Sequence, residues 1–522
     1  MKPIVTDTYD FSTLIESGYV YVDKTAQLRR MISGVDGRFF FMSRPRRFGK
    51  SLMISTLEQI FKGNRTLFKG LEICKSDYDW KTHPVIRLDM SAFDSTAGAK
   101  GVARDLAVLI SEKAKAAGFK VPSVDSPGML MGGLIDGLAR QSQDGKVVLL
   151  VDEYDSPIAG LLNRPDELEG MRALLQSFYR VFKSKAERLH FLMMTGVSKF
   201  TKLSVFSGMN NLTDISMSPV YASLLGYTRE EVVRFFKPHV KAFADKLGKT
   251  PSAVVEELLA WYDSYRFSPE VDVRVCNPVS VGRALQERRF YGFWEATGSA
   301  TLIVERLRKL GKLPYEVEGI KVFPKKLEVC DAKTLPFAAL MYQGGYLTIK
   351  GVDPSGELIL GIPNREVRLA IYDGFVDSLL EDSADEFTSM AVGLRRMLDG
   401  GDPTATIRRV LASVFAMVPH EWKLKSEAEA KRYFLLFMKM AGATINAEVE
   451  SSSGRADAVL ETRTAVYVFE FKYNRSAKTA LKQIAEKGYG KPYVAGLRRT
   501  FGVGVNYASR TATTSCALAA LE

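Results

Sequence analysis

Short apolar runs alternate with helical patterns along the first part of the chain. Apolar runs of strand length lie at 39–42, 85–89, 147–151 and 191–194. The run at 147–151 is apolar throughout, as expected for a parallel strand covered on both faces. The apolar residues between positions 50 and 61 recur at a helical period. Strands alternating with helices predict a parallel α/β sheet.

The pattern changes after residue 217. Residues 218–347 are mainly helical, and the glycines and prolines of 350–363 predict a hairpin. A further helical stretch precedes the best linker candidate, Asp-Gly-Gly-Asp-Pro at 399–403. Beyond it, a helix at 427–440, two strands and a helix at about 477–487 predict another α/β unit. The domains predicted from these changes are 1–217, 218–405 and 406–522.

Composition adds a basic surplus to an ordinary globular balance. The 522 residues are 46% hydrophobic and 25% charged, and the formal net charge is +12. This surplus favours polyanionic partners such as nucleic acid, although a basic surface that contacts only solvent gives the same count. No run approaches the ~18 apolar residues of a membrane helix, and the N-terminus lacks a signal-peptide pattern. We expect a cytoplasmic protein without a membrane partner, and homo-oligomerisation stays open.

The cysteines and histidines show no metal-binding spacing. The chain has 4 cysteines and 4 histidines, with no C-x-x-C and no H-x-x-x-H. This pattern predicts a reduced intracellular chain and disfavours a zinc site. Carboxylates should hold any metal, which favours magnesium or manganese. The histidines are His83, His190, His239 and His420.

The segment after the first predicted strand has the features of a phosphate-binding loop. In such a loop, backbone N–H groups cradle phosphate, a lysine reaches the outer phosphates, and a hydroxyl binds magnesium. Arg44 stands at the first glycine position of the G-x-x-x-x-G-K-S pattern. The predicted nucleotide-binding residues are Arg47, Phe48, Gly49, Lys50 and Ser51.

An acidic pair completes the predicted nucleotide site. Asp152 and Glu153 follow the buried run at 147–151, which is the Walker B arrangement. The aspartate would orient magnesium, and the glutamate would activate the attacking water. Thr195, at the end of the next apolar run, could sense the γ-phosphate. The structural alternatives are solvated carboxylates and an ordinary strand-end hydroxyl, whereas the whole pattern predicts binding of ATP with Mg²⁺.

Several motifs in the same order resemble those of the AAA-ATPase-like family of bacterial proteins. They lie at 19–25, 44–51, 151–155, 195–200 and 206–212. The resemblance covers about residues 5–215 closely and continues less tightly to about residue 298. Arg44 belongs to this family's form of the P-loop. The resemblance implies an ATPase domain that a PD-(D/E)xK nuclease-like domain commonly follows, and it supplies no substrate.

The C-terminal region carries two carboxylates and a lysine at a spacing that suits metal-assisted chemistry on a phosphate. Glu470 and Lys472 are two apart in an alternating run and therefore face the same side of a strand. Asp457 can lie beside Glu470 in a hairpin. Two carboxylates can hold one or two magnesium ions, and Lys472 can orient the attacking water or stabilise charge on the phosphate. The alternative is a surface hairpin in which Lys472 pairs with Glu470.

This Asp…Glu-x-Lys set resembles the core of the PD-(D/E)xK superfamily. In that resemblance, Glu448 falls near an earlier acidic ligand, with Glu450 as the alternative, and Gln483 resembles a glutamine on the next helix. Residues 411–522 carry 16 Lys/Arg against 10 Asp/Glu, a net of +6. Lys482 and Lys487 could therefore contact the phosphates of a nucleic acid. DNA is favoured over RNA as the partner, although the sequence does not decide between them.

These features together predict an α/β protein. It would comprise a P-loop NTPase with a parallel sheet, a mainly helical middle region and a C-terminal α/β restriction-endonuclease-like domain. We expect bound ATP to gate nucleic-acid cleavage. One alternative is a nucleotide-dependent switch or DNA-binding scaffold with an inactive nuclease fold, and another is a signalling ATPase whose tail binds protein. Convergence of Asp457, Glu470 and Lys472 at one metal would favour the enzyme.

Overall fold

The computed structural model forms two compact units. The first comprises Met1–Ser299 and Val317–Arg368, and the second comprises Ala300–Glu316 and Leu369–Glu522. The described residues are 1–122, 124, 126–161, 164–199, 211–294, 300–310, 312, 314–328, 336–377, 403–416, 424–440, 443–451, 454–462, 464–494, 496, 498–511 and 513–521.

A parallel sheet of five strands forms the centre of the first unit. Its order is β2-β3-β4-β1-β5, so β4 lies between β1 and β3. Every residue of β1 and β3 is buried, as expected for strands covered on both faces. The four predicted strands are confirmed. The strands are β1 (Phe39–Ser43), β2 (Val85–Asp89), β3 (Val147–Asp152), β4 (Leu189–Gly196) and β5 (Thr213–Asp214).

Helices cover this sheet and build most of the middle region. The α-helices of the described chain are α1 (Phe11–Glu16), α2 (Thr25–Ile32), α3 (Lys50–Phe61), α4 (Gly98–Ala116), α5 (Pro127–Gln141), α6 (Ser156–Ala159), α7 (Pro165–Ser184), α8 (Arg229–Phe235), α9 (Lys237–Leu247), α10 (Pro251–Tyr262), α11 (Pro278–Glu287), α12 (Ala300–Lys309), α13 (Pro324–Glu328), α14 (Phe337–Gln343), α15 (Arg365–Asp377), α16 (Pro403–Ala416), α17 (Glu427–Met440), α18 (Ala477–Lys487) and α19 (Lys491–Val494). None of them combines the length and apolar character needed to span a bilayer.

The helical middle region has a core of its own within the first unit. Helices α8 to α11 enclose it, and the N-terminal segment contributes Val22. A salt bridge of 2.6 Å between Lys24 and Glu231 fastens that segment to α8. The predicted hairpin at 350–363 is confirmed as an antiparallel pair. The short strands here are β6 (Tyr265–Arg266), β7 (Arg274–Val275), β8 (Ile320–Val322), β9 (Thr348–Val352) and β10 (Leu358–Gly361).

A mixed sheet of five strands forms the second unit. Its order is β11-β12-β13-β14-β15, and only the pair β13–β14 is parallel. Aromatic residues such as Phe434, Phe469 and Phe471 pack in its core. The strands are β11 (Thr444–Ser451), β12 (Gly454–Glu461), β13 (Ala465–Tyr473), β14 (Arg499–Ala508) and β15 (Thr513–Ala520).

The predicted bounds of several elements are confirmed, with one correction in the tail. The predicted helices at 427–440 and 477–487 match α17 and α18. Three strands, rather than two, lie between them. The additional strand is β11 at the sheet edge, where Ile445, Ala447 and Val449 alternate with polar residues and so form no continuous apolar run. The linker candidate at 399–403 lies outside the described residues except for Pro403, which begins α16.

Candidate nucleotide site and candidate nuclease site

The phosphate-loop residues lie where the carboxyl ends of β1, β3 and β4 meet. Because β4 separates β1 from β3, the loop after β1 faces both Thr195 and Asp152. Gly49 is the N-cap of α3 and has a φ of +92°, a conformation that glycine adopts without steric cost. The chain therefore turns sharply from the loop into the helix, as a phosphate cradle requires.

Lys50 connects the loop to the acidic pair. Its side chain is 3% exposed, and its ammonium donates to the carbonyl oxygens of Arg44 and Pro45, both at 3.2 Å. The same ammonium lies 3.4 Å from a carboxylate oxygen of Glu153. Glu153 has a φ of +49°, an uncommon conformation for a residue with a side chain. The lysine and the candidate general base thus occupy one small space.

Arg44, which stands at the first glycine position of the pattern, is a buried residue of the loop. Its side chain is 1% exposed and donates to the carbonyl oxygens of Ser43 at 2.9 Å and Ser216 at 2.6 Å. The guanidinium also lies over the ring of Phe267, 4.1 Å from its centroid. Burial lowers the pKa of Arg44 to about 10. The side chain therefore anchors the base of the loop within the core.

The predicted Walker B aspartate is held by its neighbours. One carboxylate oxygen of Asp152 accepts hydrogen bonds from the hydroxyl of Thr195 at 2.5 Å and from the backbone N–H of Glu153 at 3.1 Å. The predicted sensor Thr195 therefore contacts the predicted magnesium ligand directly. These bonds fix the carboxylate at the edge of the sheet that faces the phosphate loop.

Asp155 is a residue of this site that the sequence analysis did not single out. Its buried carboxylate accepts from the backbone N–H groups of Ser198 at 2.6 Å and Val197 at 3.2 Å. Burial, followed by the charge of Glu153, raises its pKa to about 6. The residue ties the turn after β3 to the turn after β4. Its presence in the motif at 151–155 was the available signal.

A pocket of about 100 Å³ adjoins the phosphate loop. Its walls are mostly apolar and come from three parts of the first unit: the N-terminal segment, the loop with α3, and residues 224–227 with the start of α11. Met53, Leu225 and Val279 are among its apolar lining residues, and Gly49 forms the border towards the loop.

The nuclease-like residues converge as the sequence predicts. Strands β12 and β13 are antiparallel, and Ala458 pairs with Phe469, which places Asp457 beside Glu470. One carboxylate oxygen of Asp457 accepts from the backbone N–H of Phe471 at 2.8 Å. Lys472 donates to a carboxylate oxygen of Glu470 at 3.0 Å. Asp457, Glu470 and Lys472 therefore form one constellation.

A third carboxylate joins this constellation from α17. Oxygen atoms of Glu427, Asp457 and Glu470 lie within 4.8 Å of one another. Glu470 is 4% exposed, and its Oε2 has no hydrogen-bond partner among the described residues. Burial, followed by the charge of Asp457, raises the pKa of Glu470 to about 7. A divalent cation would satisfy this orphaned oxygen, so the residues present fit such an ion.

The helix residues Glu427 and Lys431 were missed by the sequence analysis. Lys472 donates to Glu427 at 3.3 Å, and Lys431 donates to Asp457 at 3.0 Å. The two helix residues are one turn apart and lie at least 26 positions before Asp457 in sequence. A glutamate and a lysine at that spacing usually form an exposed pair on a helix, so the sequence offered no signal.

Glu448, the earlier acidic residue that the sequence suggests as a metal ligand, lies outside the group of Glu427, Asp457 and Glu470. Glu448 has a φ of +53°, and its carboxylate pairs with Lys431 and Arg455. It does not belong to the described group of three carboxylates. The alternative candidate, Glu450, pairs with Arg455 across the strands in the backbone register. Both glutamates thus lie on β11, beside the group.

The candidate nucleic-acid contacts lie on α18. The side chains of Lys482 and Lys487 are exposed, whereas Gln483 is partly buried. Lys482 lies 3.4 Å from Glu486 on the same helix. An exposed pair of this kind contributes little to stability, so Lys482 can be redirected to a phosphate at small cost.

Comparison with known proteins agrees with this arrangement. Residues 5–206 match the family described as predicted AAA-ATPase, and residues 425–515 match the PD-(D/E)XK nuclease superfamily. The chain is 32% identical over 495 residues to an Azotobacter chroococcum mcd 1 protein named "Uncharacterized protein in vnfD 5'region". That alignment covers 91% of this chain and 90% of the relative. The protein is thus a P-loop protein with a nuclease-type C-terminal domain. It belongs to the AAA-ATPase-like family.

Proposed function

We propose that this protein hydrolyses ATP and that its C-terminal domain cleaves nucleic acid with Mg²⁺ under the control of the bound nucleotide. The convergence of Asp457, Glu470 and Lys472 beside Glu427 is the observation that carries the proposal. The match to the nuclease superfamily supports the reaction class. The substrate in this proposal is nucleic acid, because the domain is basic, and DNA is the first candidate to test.

In the part of the proposal that concerns ATP, each residue near the phosphate loop has one role. The backbone N–H groups from Arg47 to Lys50 receive the phosphates, and Lys50 leaves the two carbonyl groups it now contacts to neutralise the outer phosphate. Ser51 and Asp152 would hold the magnesium ion that accompanies ATP. Glu153, 3.4 Å from Lys50, is placed to take a proton from water.

The cavity beside the loop is the place for the nucleoside. It begins at Gly49, so a ligand whose phosphates occupy the loop would extend its base between Met53, Leu225 and Val279. Apolar walls suit a flat aromatic base, and concave, mostly apolar clefts are the usual form of such sites.

In the nuclease part of the proposal, carboxylates alone hold the cation. Glu427, Asp457 and Glu470 would hold Mg²⁺, or Mn²⁺, since both ions prefer oxygen ligands. Such an ion polarises the scissile phosphate and lowers the pKa of a bound water. Lys472 keeps a positive charge beside Glu470 and can stabilise the charge that develops on the phosphate.

A second candidate function follows from the lysines of the same site. Lys431 and Lys472 already pair with Asp457 and Glu470, as they would in a nuclease fold that binds DNA without cutting it. In that case the protein would be a nucleotide-dependent DNA-binding scaffold.

An assay with isosteric variants separates the two functions. Labelled duplex DNA, single-stranded DNA and RNA are incubated with the full chain in Mg²⁺, Mn²⁺ or chelator. We expect metal-dependent cleavage by the wild type and none by Asp457→Asn, whereas the control Glu112→Gln, an exposed change on α4 of the first unit, should cleave normally. Retained cleavage in Asp457→Asn would refute the site. Binding without cleavage by the wild type would favour the scaffold.

The nucleotide site has its own test. Lys50→Ala should abolish ATP binding, because it removes the charge that meets the outer phosphate. Glu153→Gln should bind ATP but hydrolyse it at least ~100-fold more slowly, in the range expected for loss of a general base. Equilibrium binding and phosphate release measure the two effects. Hydrolysis at the wild-type rate by both variants would show that the site is misassigned.

A further inference from the structure

Two of the four histidines meet at the amino-terminal edge of the parallel sheet. His83 precedes β2, Asp144 precedes β3, and His190 is the second residue of β4. These three strands are neighbours in the sheet, so their amino ends bring the three side chains together. The histidines show no metal-binding spacing in the sequence, but the fold brings His83 and His190 together.

The donor atoms of this group are close enough to share an ion. The Nδ1 atoms of His83 and His190 lie 3.6 and 3.9 Å from the same carboxylate oxygen, Oδ2 of Asp144. One ligand atom from each residue falls within 4.8 Å of the others. In a tetrahedral zinc site with bonds of about 2.0–2.1 Å, neighbouring ligand atoms are about 3.3 Å apart. The two observed Nδ1–Oδ2 distances exceed this value by only about 0.3 and 0.6 Å.

An orphaned nitrogen points to a missing partner. The side chain of His83 is 2% exposed, and its Nδ1 has no hydrogen-bond partner among the described residues. Asp144 contributes only its second oxygen, because Oδ1 accepts from Ser142 at 2.9 Å and from the backbone N–H of Lys146 at 3.1 Å. A buried polar atom without a partner is rare, and a bound ion would supply one.

We propose that His83, Asp144 and His190 form a binding site for a divalent transition-metal ion, with Zn²⁺ as the best match. Two imidazole nitrogens and one carboxylate suit zinc and its neighbours better than magnesium, which prefers oxygen alone. Three protein ligands leave a fourth position open. The backbone N–H of His83 donates to the carbonyl of Phe61 at 2.8 Å, which holds the loop before β2 against α3.

The protonation state of the rings suits this role. Burial lowers the pKa of His83, and burial followed by the charge of His83 lowers the pKa of His190 to about 4. Both shifts favour the neutral imidazole, which is the form that binds a metal ion.

Two local changes must accompany binding. The rings of His83 and His190 stack with centroids 3.9 Å apart, so the partly exposed His190 must rotate to direct its lone pair at a shared ion. Lys81 lies 3.4 Å from Oδ2 of Asp144 and competes for that oxygen. Lys81 is largely solvated and can turn away. Its removal should therefore strengthen metal binding.

The site is separate from both sites described above. It lies at the opposite end of β3 from Asp152, and a strand of 6 residues spans about 20 Å. It belongs to the first compact unit, whereas the cluster of Glu427, Asp457 and Glu470 belongs to the second. An ion held there would stabilise the amino edge of the sheet rather than act on ATP.

The test uses Co²⁺ as a spectroscopic probe of the full chain. To silence the carboxylate site, all proteins carry Asp457→Asn and Glu470→Gln, and no nucleotide is added. We expect one equivalent of Co²⁺ to bind with visible d–d absorption, and Zn²⁺ to displace it. His190→Ala should weaken Co²⁺ binding by more than ~100-fold. Replacing a residue that only hydrogen-bonds to a metal ligand already lowers metal affinity about 10–100-fold, and loss of a ligand should cost more. Lys81→Ala should bind Co²⁺ more tightly.

The matched control is His239→Ala, which removes a histidine of the same unit outside the group. It should bind Co²⁺ like the parent protein. Absence of binding by the parent, or equal binding by His190→Ala and His239→Ala, would overturn the proposal. Because His83 is buried and its replacement can impair folding, Asp144→Asn serves as the second ligand variant and should lose binding while circular dichroism stays unchanged.

Discussion

Three carboxylates and two lysines share the candidate nuclease site, and their pairing decides how a cation can enter. Lys472 lies between Glu427 and Glu470, whereas Lys431 pairs with Asp457 and with Glu448. The first lysine belongs to the predicted Glu-x-Lys set. The second occupies the remaining oxygen of Asp457, since the other oxygen accepts from the backbone of β13. Lys431 is therefore the residue that a metal ion must displace.

We expect Lys431→Ala to lower the Mg²⁺ concentration that cleavage requires. The variant removes the cation that competes for Asp457, so half-maximal cleavage should need several-fold less Mg²⁺ than in the wild type. Cleavage rates measured over a range of Mg²⁺ concentrations give this value, and Lys439→Ala on the same helix is the control. Loss of cleavage at every Mg²⁺ concentration would show instead that Lys431 takes part in the reaction.

A second single-residue effect concerns a carboxylate in the first unit. Glu366 is buried; its Oε1 accepts from the hydroxyl of Ser280 at 2.9 Å and from the backbone N–H of Phe293 at 2.7 Å. Burial raises its pKa to about 7 from the ordinary 4.5. As the pH rises, the carboxyl group of Glu366 therefore ionises at a lower pH in the unfolded chain than in the folded chain. The stability contribution of Glu366 is full below about pH 4.5 and is lost as the pH rises through about 7.

Glu366→Gln should therefore become more stable than the wild type as the pH rises from 5 to 8. A shift of this size corresponds to a difference on the order of 3 kcal/mol. Thermal unfolding of the two proteins across that range measures the effect. Glu112→Gln, an exposed change on α4, is the control and should show no such trend. A constant difference between Glu366→Gln and wild type at every pH would contradict the assignment.

Individual elements show why some of the fold could be predicted from the sequence. The helix at 50–61 follows a glycine with positive φ, and nearly all of its apolar residues are buried, together with several polar ones. The buried run of β3 is equally clear. By contrast, β11 has no continuous apolar run, because the apolar Ile445, Ala447 and Val449 alternate with polar residues at the sheet edge. A search for continuous apolar runs therefore misses such a strand, whereas a search for alternation at period two would find it.

The helix α11 depends on one buried cap. Asn277 accepts from the backbone N–H groups of Val279 at 3.0 Å and Ser280 at 3.2 Å. The same helix carries Ser280 to Glu366 and Val279 to the cavity wall. The cap thus positions both Ser280, which hydrogen-bonds to Glu366, and Val279, which lines the pocket beside the phosphate loop.

Asn277→Ala should destabilise the first unit by about 1–2 kcal/mol, the usual cost of losing such a cap. Asn277→Ser keeps a side-chain oxygen acceptor and should recover most of that loss. Chemical denaturation of the full chain, followed by tryptophan fluorescence, compares the two variants. Equal stability of the alanine and serine variants would show that the cap contributes little.

At the scale of the whole molecule, the chemistry divides between two compact units. Residues close in sequence, such as Glu470 and Lys472, could be assigned from alternation alone. The contributions of Glu427 and of the pair His83 and His190 could not, because only the folded chain brings distant positions together. Sequence analysis therefore found the residues within motifs and missed their partners outside them.

The basic tail should bind nucleic acid in a salt-sensitive way. Each phosphate contact changes the logarithm of affinity by about 0.9 per tenfold change in salt for B-DNA. The double variant Lys482→Ala/Lys487→Ala should lower the salt slope by about 2. Lys241→Ala in the first unit is the control and should leave it unchanged. Affinity that does not vary with salt would remove nucleic acid from the expected partners.

The most direct test of the central claim is the single-turnover rate of duplex DNA cleavage by the full chain in Mg²⁺, with and without ATP. The wild type should cleave, and ATP should change its rate. Lys50→Ala should cleave at one rate in both conditions, because it cannot bind the nucleotide. Lys472→Ala should not cleave in either. Cleavage by Lys472→Ala at the wild-type rate would contradict the nuclease site, and an equal response of wild type and Lys50→Ala to ATP would contradict control by the bound nucleotide.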